Sequence, residues 1–344
     1  MISIIITMKN LFTLLLLFLV TTVNSQVKLT YQNHAYIRGD RHDFFLTQKV
    51  DEGKSGADVS WDFSDLVTSS NLTSYMVDPL TTEKGTMIPK ANLALIENDN
   101  VFYFRVEMDA VLQYGSAGPC SVTMYGVPFE KMKFPFAYGD KVRGNFSGTI
   151  QNGEKYSDIS GSYSIEGDAW GSLVLPNGFY QNTLRVKQTR IMKISGGNDL
   201  QEITYRWYCA NVRYPLLVII KYENNGNTTT TQVAFKAHYP LENPKNNEEK
   251  KTIRLMSDLK LDVSPNPFVE QVRVGYHLDY TTNMTFELLN NSGVVVSILQ
   301  QPIAKEAGTY SQILPVPSTL PLGTYYLKVT YGKLVIVKKI VKVN

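Results

Sequence analysis

Imidazole and carboxylate groups, the side chains that could hold a metal ion, are most concentrated close to the N-terminus. The residues concerned are His34, Asp40, His42 and Asp43. Histidine suits zinc and aspartate suits zinc or calcium, but this spacing matches neither a zinc motif nor a calcium-binding loop. We therefore interpret the four as polar residues of a solvated loop, and we predict neither a metal site nor another cofactor.

Two carboxylates could take part in acid–base catalysis. Glu166 and Asp168 are two residues apart, and on a β-strand they would share one face, roughly 6.5–7 Å from each other. That separation is near the one between the paired acids of inverting glycosidases. The alternative to a catalytic role is that both are ordinary exposed carboxylates on one face of a strand. The chain has no nucleophile elbow, phosphate-binding loop or dinucleotide-binding fingerprint.

A tripeptide of the adhesion type occurs at Arg38, Gly39 and Asp40. On a surface protein it could contact adhesion receptors of a host. Three residues carry little information, however, and the sequence favours a chance tripeptide on a turn.

The chain has two cysteines, Cys120 and Cys209. An exported protein can form a disulfide between them, but spacing does not establish the geometry that a disulfide needs. Two separate buried thiols are the alternative. Both interpretations stay open at this stage.

Aromatic residues are frequent enough to form either a ligand platform or a core. They include Trp61, Trp170, Trp207, Tyr103, Tyr125, Tyr180 and Tyr208. A platform of such side chains could bind a sugar or a peptide. Most of them alternate with polar residues, as core residues of strands do, so the pattern favours core packing for the three tryptophans.

The composition describes an ordinary globular chain of about two domains. It has 344 residues and a formal net charge of +3, which gives no reason to expect a nucleic-acid partner. With 21 tyrosines and 15 phenylalanines, the composition leans towards β-structure.

The first 25 residues have the organisation of a cleaved secretory signal. Lys9 precedes an apolar run at residues 11–20, and small and polar residues follow up to Ser25. The apolar run is about half of the ~20 residues that cross a bilayer, so we predict no transmembrane segment. We expect cleavage after Ser25.

Residues 26–240 contain many short β-prone runs. Residues 216–222 and 230–237 flank a polar loop with Gly226, which is a hairpin pattern. We predict an all-β domain here, either an antiparallel sandwich or an open barrel. Residues 241–258 are polar, charged and free of aromatics, and we interpret them as a linker. About seven short strands follow in residues 259–344, which suits a small immunoglobulin-like sandwich.

Four motifs in this last region carry a family resemblance. They are residues 263–268 (VSPNPF), 289–295 (LNNSGVV), 320–329 (LPLGTYYLKV) and 338–342 (KKIVK). In this order they resemble the sorting domain of type IX (Por) secretion cargo proteins of Bacteroidetes. The sorting-motif residues are Pro265, Asn266, Pro267, Gly293, Gly323, Tyr325, Lys338 and Lys339. We expect Lys328, Lys333, Lys338, Lys339 and Lys342 to lie on the exposed surface.

This resemblance implies two partners, an outer-membrane translocon and a sortase-like peptidase that removes the domain. It also implies passage through the periplasm and the outer membrane, followed by release or attachment at the cell surface. The preceding region is similar to an uncharacterised cargo family at residues 61–66, 134–140, 168–178 and 205–208. Ala169 departs from the glycine that this family favours.

The sequence favours a non-enzymatic binding or adhesion module with a glycan or protein ligand. A secreted hydrolase acting on glycan or peptide is the alternative, and a structural spacer of the envelope is a third.

Overall fold

The computed structural model describes residues 26–195, 199–224, 227–237, 259–332 and 334–344. The predicted signal at residues 1–25 and the predicted linker at residues 241–258 lie outside the described residues. Within the described part of the chain, no helix combines the length and the hydropathy that crossing a membrane requires.

In its described residues, the first region is built from thirteen strands and a few short helices. The strands are β1 (Arg41–Thr47), β2 (Gly56–Asp62), β3 (Thr68–Val77), β4 (Leu93–Glu97), β5 (Asn100–Val106), β6 (Ala110–Ala117), β7 (Ser121–Lys133), β8 (Lys141–Asn152), β9 (Lys155–Leu175), β10 (Gly178–Ile194), β11 (Leu200–Tyr208), β12 (Leu217–Asn224) and β13 (Asn227–Lys236). One helical turn, α1 (Tyr31–His34), precedes them, and short 3₁₀ helices lie at Pro79–Thr81 and Gly85–Met87.

Twelve of these strands form a closed antiparallel barrel. Their order is β10, β11, β12, β13, β1, β3, β4, β5, β6, β7, β8 and β9, and pairing between β9 and β10 closes the ring. The remaining strand, β2, pairs in parallel with the second half of β9, along the edge that β8 occupies in the first half. The all-β prediction is confirmed. Of the two predicted architectures the structure shows a barrel, and it is closed because the long β9 pairs along both of its edges.

Two apolar clusters occupy the two sides of the barrel wall. The inner cluster joins strands β5, β6, β7, β9, β10 and β11 with Val27 and Leu29, so the N-terminal segment fills one end of the interior. The outer cluster joins β9 to β13 with residues 48–67, which we call the strap. Alternate residues of one strand serve the two clusters, as the two-residue period of a strand requires: Val186 of β10 faces inward, and Arg185 faces the strap.

The last region is a sandwich of seven strands, as predicted. Three form the sheet β14–β15–β18 and four form the sheet β17–β16–β19–β20. Their bounds are β14 (Leu261–Ser264), β15 (Gln271–Leu278), β16 (Thr282–Leu289), β17 (Val295–Lys305), β18 (Gly308–Pro315), β19 (Gly323–Tyr331) and β20 (Leu334–Lys342). In β15, Val272, Val274, Tyr276 and Leu278 are buried between exposed or half-buried residues. They share one core with Phe286, Leu288, Leu327 and Val329 of the facing sheet.

The barrel and the sandwich meet at a seam, although each has a core of its own. Val174 of the barrel and Leu289, Tyr326 and Val337 of the sandwich form a small apolar cluster. The ring of Phe179 lies 5.7 Å from the ring of Tyr326, centroid to centroid. The backbone N–H of Val337 donates a 2.9 Å hydrogen bond to the carbonyl of Pro176. The seam therefore combines apolar packing with backbone hydrogen bonding.

Candidate functional site

The opening motif of the sandwich is fixed to its last strand. The side chain of Asn266 donates to the carbonyl of Lys339 and accepts from the N–H of Val341, both at 2.9 Å. Phe268 is fully buried, and its backbone pairs with Val341 and Val343. The peptide bonds before Pro265 and Pro267 are both cis. The first and last motifs of the sandwich thus lie side by side, as one unit.

The two motif glycines, Gly293 and Gly323, and Tyr325 stabilise turns of the sandwich. Gly293 has a φ of +73°, and a Cβ added there would approach the ring of Phe179 to 2.1 Å. Gly323 has a φ of +144°. Both values favour glycine. The hydroxyl of Tyr325 donates to the carbonyl of Pro321 at 2.7 Å, which holds the turn that enters β19.

The lysines of the sandwich do not all lie on its surface. Lys342 is buried, and its ammonium donates to the carbonyls of Pro317, Ser318 and Leu320 at 2.8–3.2 Å. The expected exposure of Lys342 is therefore wrong, because three backbone oxygens replace its hydration. Lys333 lies outside the described residues. Lys339 is exposed but engaged, with its Nζ 2.9 Å from Oδ2 of Asp62 in the strap.

The predicted solvated loop is also wrong for its two histidines. His34 and His42 are buried. His34 Nε2 lies 3.1 Å from the carbonyl of Cys209, and its Nδ1 accepts from the N–H of Thr30. His42 packs against the ring of Tyr214, and neither of its ring nitrogens has a hydrogen-bond partner among the residues that the structure describes.

The environment keeps both imidazoles neutral. Burial lowers the pKa of His34, and it lowers the pKa of His42 to about 3, with the charge of Lys236 acting in the same direction. Among the described residues no group of three or more histidine, cysteine or acidic side chains is placed to hold a metal ion.

The two strand carboxylates each have a cation of their own. Glu166 is paired with Lys141 at 2.6 Å and is well exposed. Asp168 forms two hydrogen bonds with the guanidinium of Arg185, at 2.8 and 2.9 Å. A β-bulge in the pairing of β9 with β10 lies at this point. Glu166 and Asp168 therefore belong to two separate ion pairs.

Arg185 is the centre of an arrangement that the sequence did not reveal. Its side chain is 1% exposed, and it also donates to the carbonyls of Glu52 and Gly53 in the strap. The guanidinium carbon lies 5.1–5.6 Å from the ring centroids of Trp61, Tyr205 and Trp207. This geometry holds the strap against the barrel through charge, hydrogen bonds and cation–π contacts. The only signal in the sequence is the proximity of Arg185 to aromatic-rich strands.

The adhesion-type tripeptide lies on a turn, with both charged side chains engaged. Arg38 is paired with Asp78 at 2.8 Å, and Asp40 accepts a 2.7 Å hydrogen bond from the hydroxyl of Tyr214. Gly39 has a φ of +91°.

The cysteines are separate thiols, and two of the three tryptophans lie in the core. Cys120 is an exposed free thiol, so the expectation of a buried thiol is wrong for it, and Cys209 is a half-buried free thiol. Trp61 and Trp207 are buried in the outer core, and Trp170 is half-buried. Tyr103, Tyr125 and Tyr208 are buried as well, so these rings do not form an exposed platform.

A hydroxyl-rich groove lies on the outer face of β8, β9 and β10. It consists of two adjoining open cavities of about 470 and 450 Å³, which share Asn145, Ser162 and Ile191. Other lining side chains include Ser147, Ser160, Ser164, Thr189, Arg143 and Lys193. The serines face outward because Ile159, Tyr163 and Ile165 of the same strand face the apolar interior. The groove thus presents hydroxyl and amide groups in a row.

Comparison with known proteins identifies the second region. The family model for the secretion system C-terminal sorting domain matches residues 262–343. No curated protein and no solved structure matches the chain. The matched range begins in β14 and includes all of the remaining strands of the sandwich, β15 to β20. Residues 262–343 are therefore a C-terminal sorting domain of the Por (type IX) secretion system, and the chain is a cargo protein exported across the outer membrane by that domain.

Proposed function

We propose that this chain delivers a glycan-binding barrel to the cell surface or to the medium. In this proposal a signal at residues 1–25 takes the chain of a Bacteroidetes cell into the periplasm. The translocon then recognises the sorting domain, and a sortase-like peptidase removes it. The barrel, residues 26–240, is the part that acts outside the cell, and it acts by binding.

The groove on β8, β9 and β10 is the observation that supports binding. Its lining offers hydroxyl and amide groups from Asn145, Ser162 and Thr189 on an exposed sheet face. Such groups act as both donors and acceptors, which matches the hydroxyl groups of a sugar. Ile191 adds an apolar surface against which the C–H face of a sugar ring can pack. A glycan fits this chemistry better than an apolar ligand does.

The hydrolase alternative has less support from the geometry. Its two acids, Glu166 and Asp168, are each held by a separate cation, and Asp168 lies beneath the strap. A general acid or base needs a carboxyl group that can reach the substrate and change its protonation. Neither acid lines the groove on the outer face.

A glycan array tests the proposal. We expect the purified chain, residues 26–344, to bind a subset of glycans. Asn145→Ala and Thr189→Val should each weaken binding about 3- to 10-fold, because each removes hydrogen bonds of ordinary strength. Thr229→Val is the matched control, since Thr229 is an exposed threonine of β13 outside the groove. No binding on the array, or equal binding by all variants, would contradict the assignment of the groove.

A further inference from the structure

The groove on the outer face of β8, β9 and β10 is a grid of side chains, because the register of the three strands aligns them in rows. Successive rows are about 6.5–7 Å apart, since alternate residues of a strand share a face. The two central rows are Arg143, Ser164 and Thr189, followed by Asn145, Ser162 and Ile191. All six residues line the cavity of about 450 Å³. The space for a ligand therefore lies over these two rows.

Arg143 is the cation of this cavity. It is exposed, and its guanidinium forms neither a hydrogen bond nor an ion pair with any residue of the described ranges. None of the residues that line the cavity is acidic. The neighbours of Arg143 in its row are instead two hydroxyl-bearing residues, Ser164 and Thr189. The cavity therefore presents a guanidinium and two hydroxyl groups to a ligand.

The row beyond Arg143 adds positive charge at this end of the groove. It consists of Lys141, Glu166 and Lys187, so that two cations lie on either side of one carboxylate. Lys141 is paired with Glu166 at 2.6 Å, and Nζ of Lys187 lies 5.6 Å from the ring centroid of Tyr205. The carboxylate of Glu166 is therefore already neutralised by Lys141. Cations exceed acids at this end of the groove.

The opposite end of the groove has acids as well as a cation. Lys193 lines the second cavity, and its ammonium lies 3.8 Å from a carboxylate oxygen of Asp199, with both side chains well exposed. Asp158 is exposed and lies on the same face of β9, two residues before Ser160. An anionic group is therefore attracted more strongly to the Arg143 end than to the Lys193 end.

We propose that the glycan bound in this groove is acidic, and that Arg143 holds its carboxylate or sulfate group. This inference rests on the glycan-binding function proposed above. The planar guanidinium can donate two parallel hydrogen bonds to either group, and the hydroxyls of Ser164 and Thr189 can each donate one more. Asn145 and Ser162, in the next row, are left for the hydroxyl groups of the sugar ring. Arg143 is thus the residue that selects acidic over neutral glycans.

An array of matched glycan pairs tests this assignment with the purified chain, residues 26–344. Oligogalacturonates stand beside their methyl esters, and sulfated carrageenan fragments stand beside their desulfated forms, so the two sources of negative charge are separated. We expect the acidic member of at least one pair to bind more tightly, with a preference that shrinks as salt rises, because exposed charges are screened. Arg143→Gln should weaken binding of that acidic member about tenfold, as expected for losing a charge-assisted hydrogen bond. Binding of its neutral counterpart should change less than about twofold, since a neutral group forms no such bond.

Two further variants sharpen the result. Arg273→Gln is the matched control, since Arg273 is an exposed arginine of β15 in the sorting domain, and it should bind like the unaltered chain. Arg143→Lys keeps the charge without the planar fork and should recover part of the preference. Equal binding of acidic and neutral members, or equal preference in Arg143→Gln and the unaltered chain, would overturn the role of Arg143 and leave glycan binding intact. Binding to neither member of any pair would overturn the glycan-binding function as well.

Discussion

Asp62 of the strap and Lys339 of the sorting domain form an ion pair across the seam, with 2.9 Å between Oδ2 and Nζ. Burial raises the pKa of Asp62, but hydrogen bonds from Lys339 and Ser64 more than offset this and leave it below its ordinary value. The carboxylate is thus stabilised in its charged form. Lys339 belongs to the basic motif of the sorting domain, so that motif contacts the cargo directly.

We predict a modest coupling between these two residues. Lys339 is 42% exposed and Asp62 is 24% exposed, which places the pair near the surface, where ion pairs contribute about 0.2–1 kcal/mol. A double-mutant cycle with Asp62→Asn and Lys339→Gln, measured by chemical unfolding at pH 7, should give a coupling energy in that range. Lys338→Gln, which removes a neighbouring charge without a described ion pair, is the control. A coupling energy of zero would contradict the prediction and would mean that the apolar contacts of the seam, and not this ion pair, contribute its stability.

Arg185→Met should be among the most destabilising single changes in the barrel. It leaves the carboxylate of Asp168 without its cation and two strap carbonyls without a donor. Removing one partner of a buried ion pair costs about 3–5 kcal/mol. Lys141→Met breaks the exposed pair with Glu166 and should cost less than about 1 kcal/mol. Urea unfolding measures both, and similar losses for the two variants would contradict the buried geometry.

The stability of the barrel should fall on acidification below about pH 6.5, with His42 as one cause. Its folded pKa of about 3 lies below the ordinary 6.5, so the unfolded chain binds the proton first. The stabilisation is complete above pH 6.5 and is lost as the pH falls towards 3. The loss has an upper limit of roughly 5 kcal/mol, at about 1.4 kcal/mol for each tenfold change in proton affinity.

Unfolding of His42→Leu and of the unaltered chain at several pH values between 7 and 4 measures this effect. The groups facing His42 are Lys236, Asp43 and the ring of Tyr214. The variant should lose less stability over this interval than the unaltered chain. His277→Leu is the control, because His277 is an exposed imidazole of the sorting domain. Parallel curves for His42→Leu and the unaltered chain would show that other groups cause the acid sensitivity.

Deletion of residues 259–344 should leave the chain in the periplasm of a cell that has the type IX system. The barrel should still fold, because its inner and outer cores contain no residue of the sandwich. Cell fractionation followed by immunoblotting measures the location, and protease resistance of the periplasmic product measures folding. Arrival of the truncated chain in the medium would contradict export through the sorting domain.

Several features could be predicted from local sequence. The β-prone runs at residues 216–222 and 230–237, which flank a polar loop, identified the hairpin of β12 and β13. Four motifs in fixed order identified the sorting domain, which the family model confirms. These features depend on residues that are close in the chain, and the two-residue period of a strand converts such spacing directly into faces.

The roles of individual charged residues could not be predicted. Arg185 in a strand of alternating residues resembles an exposed cation, yet the strap covers it. His42 resembles a solvated loop residue, yet it lies in a strand against Tyr214. In both cases the partner comes from a distant segment, so the spacing of local residues carries no record of it.

The sequence by itself determined that this protein is all-β and that it ends in a sorting domain, because strand periodicity and motif order are local properties. Only the tertiary structure decided that β1 pairs with β13 to bring the two ends of the barrel together, and that Arg185 secures the strap. These relationships depend on contacts between segments that are far apart in the chain. Such contacts form only when the complete chain folds and buries its apolar side chains.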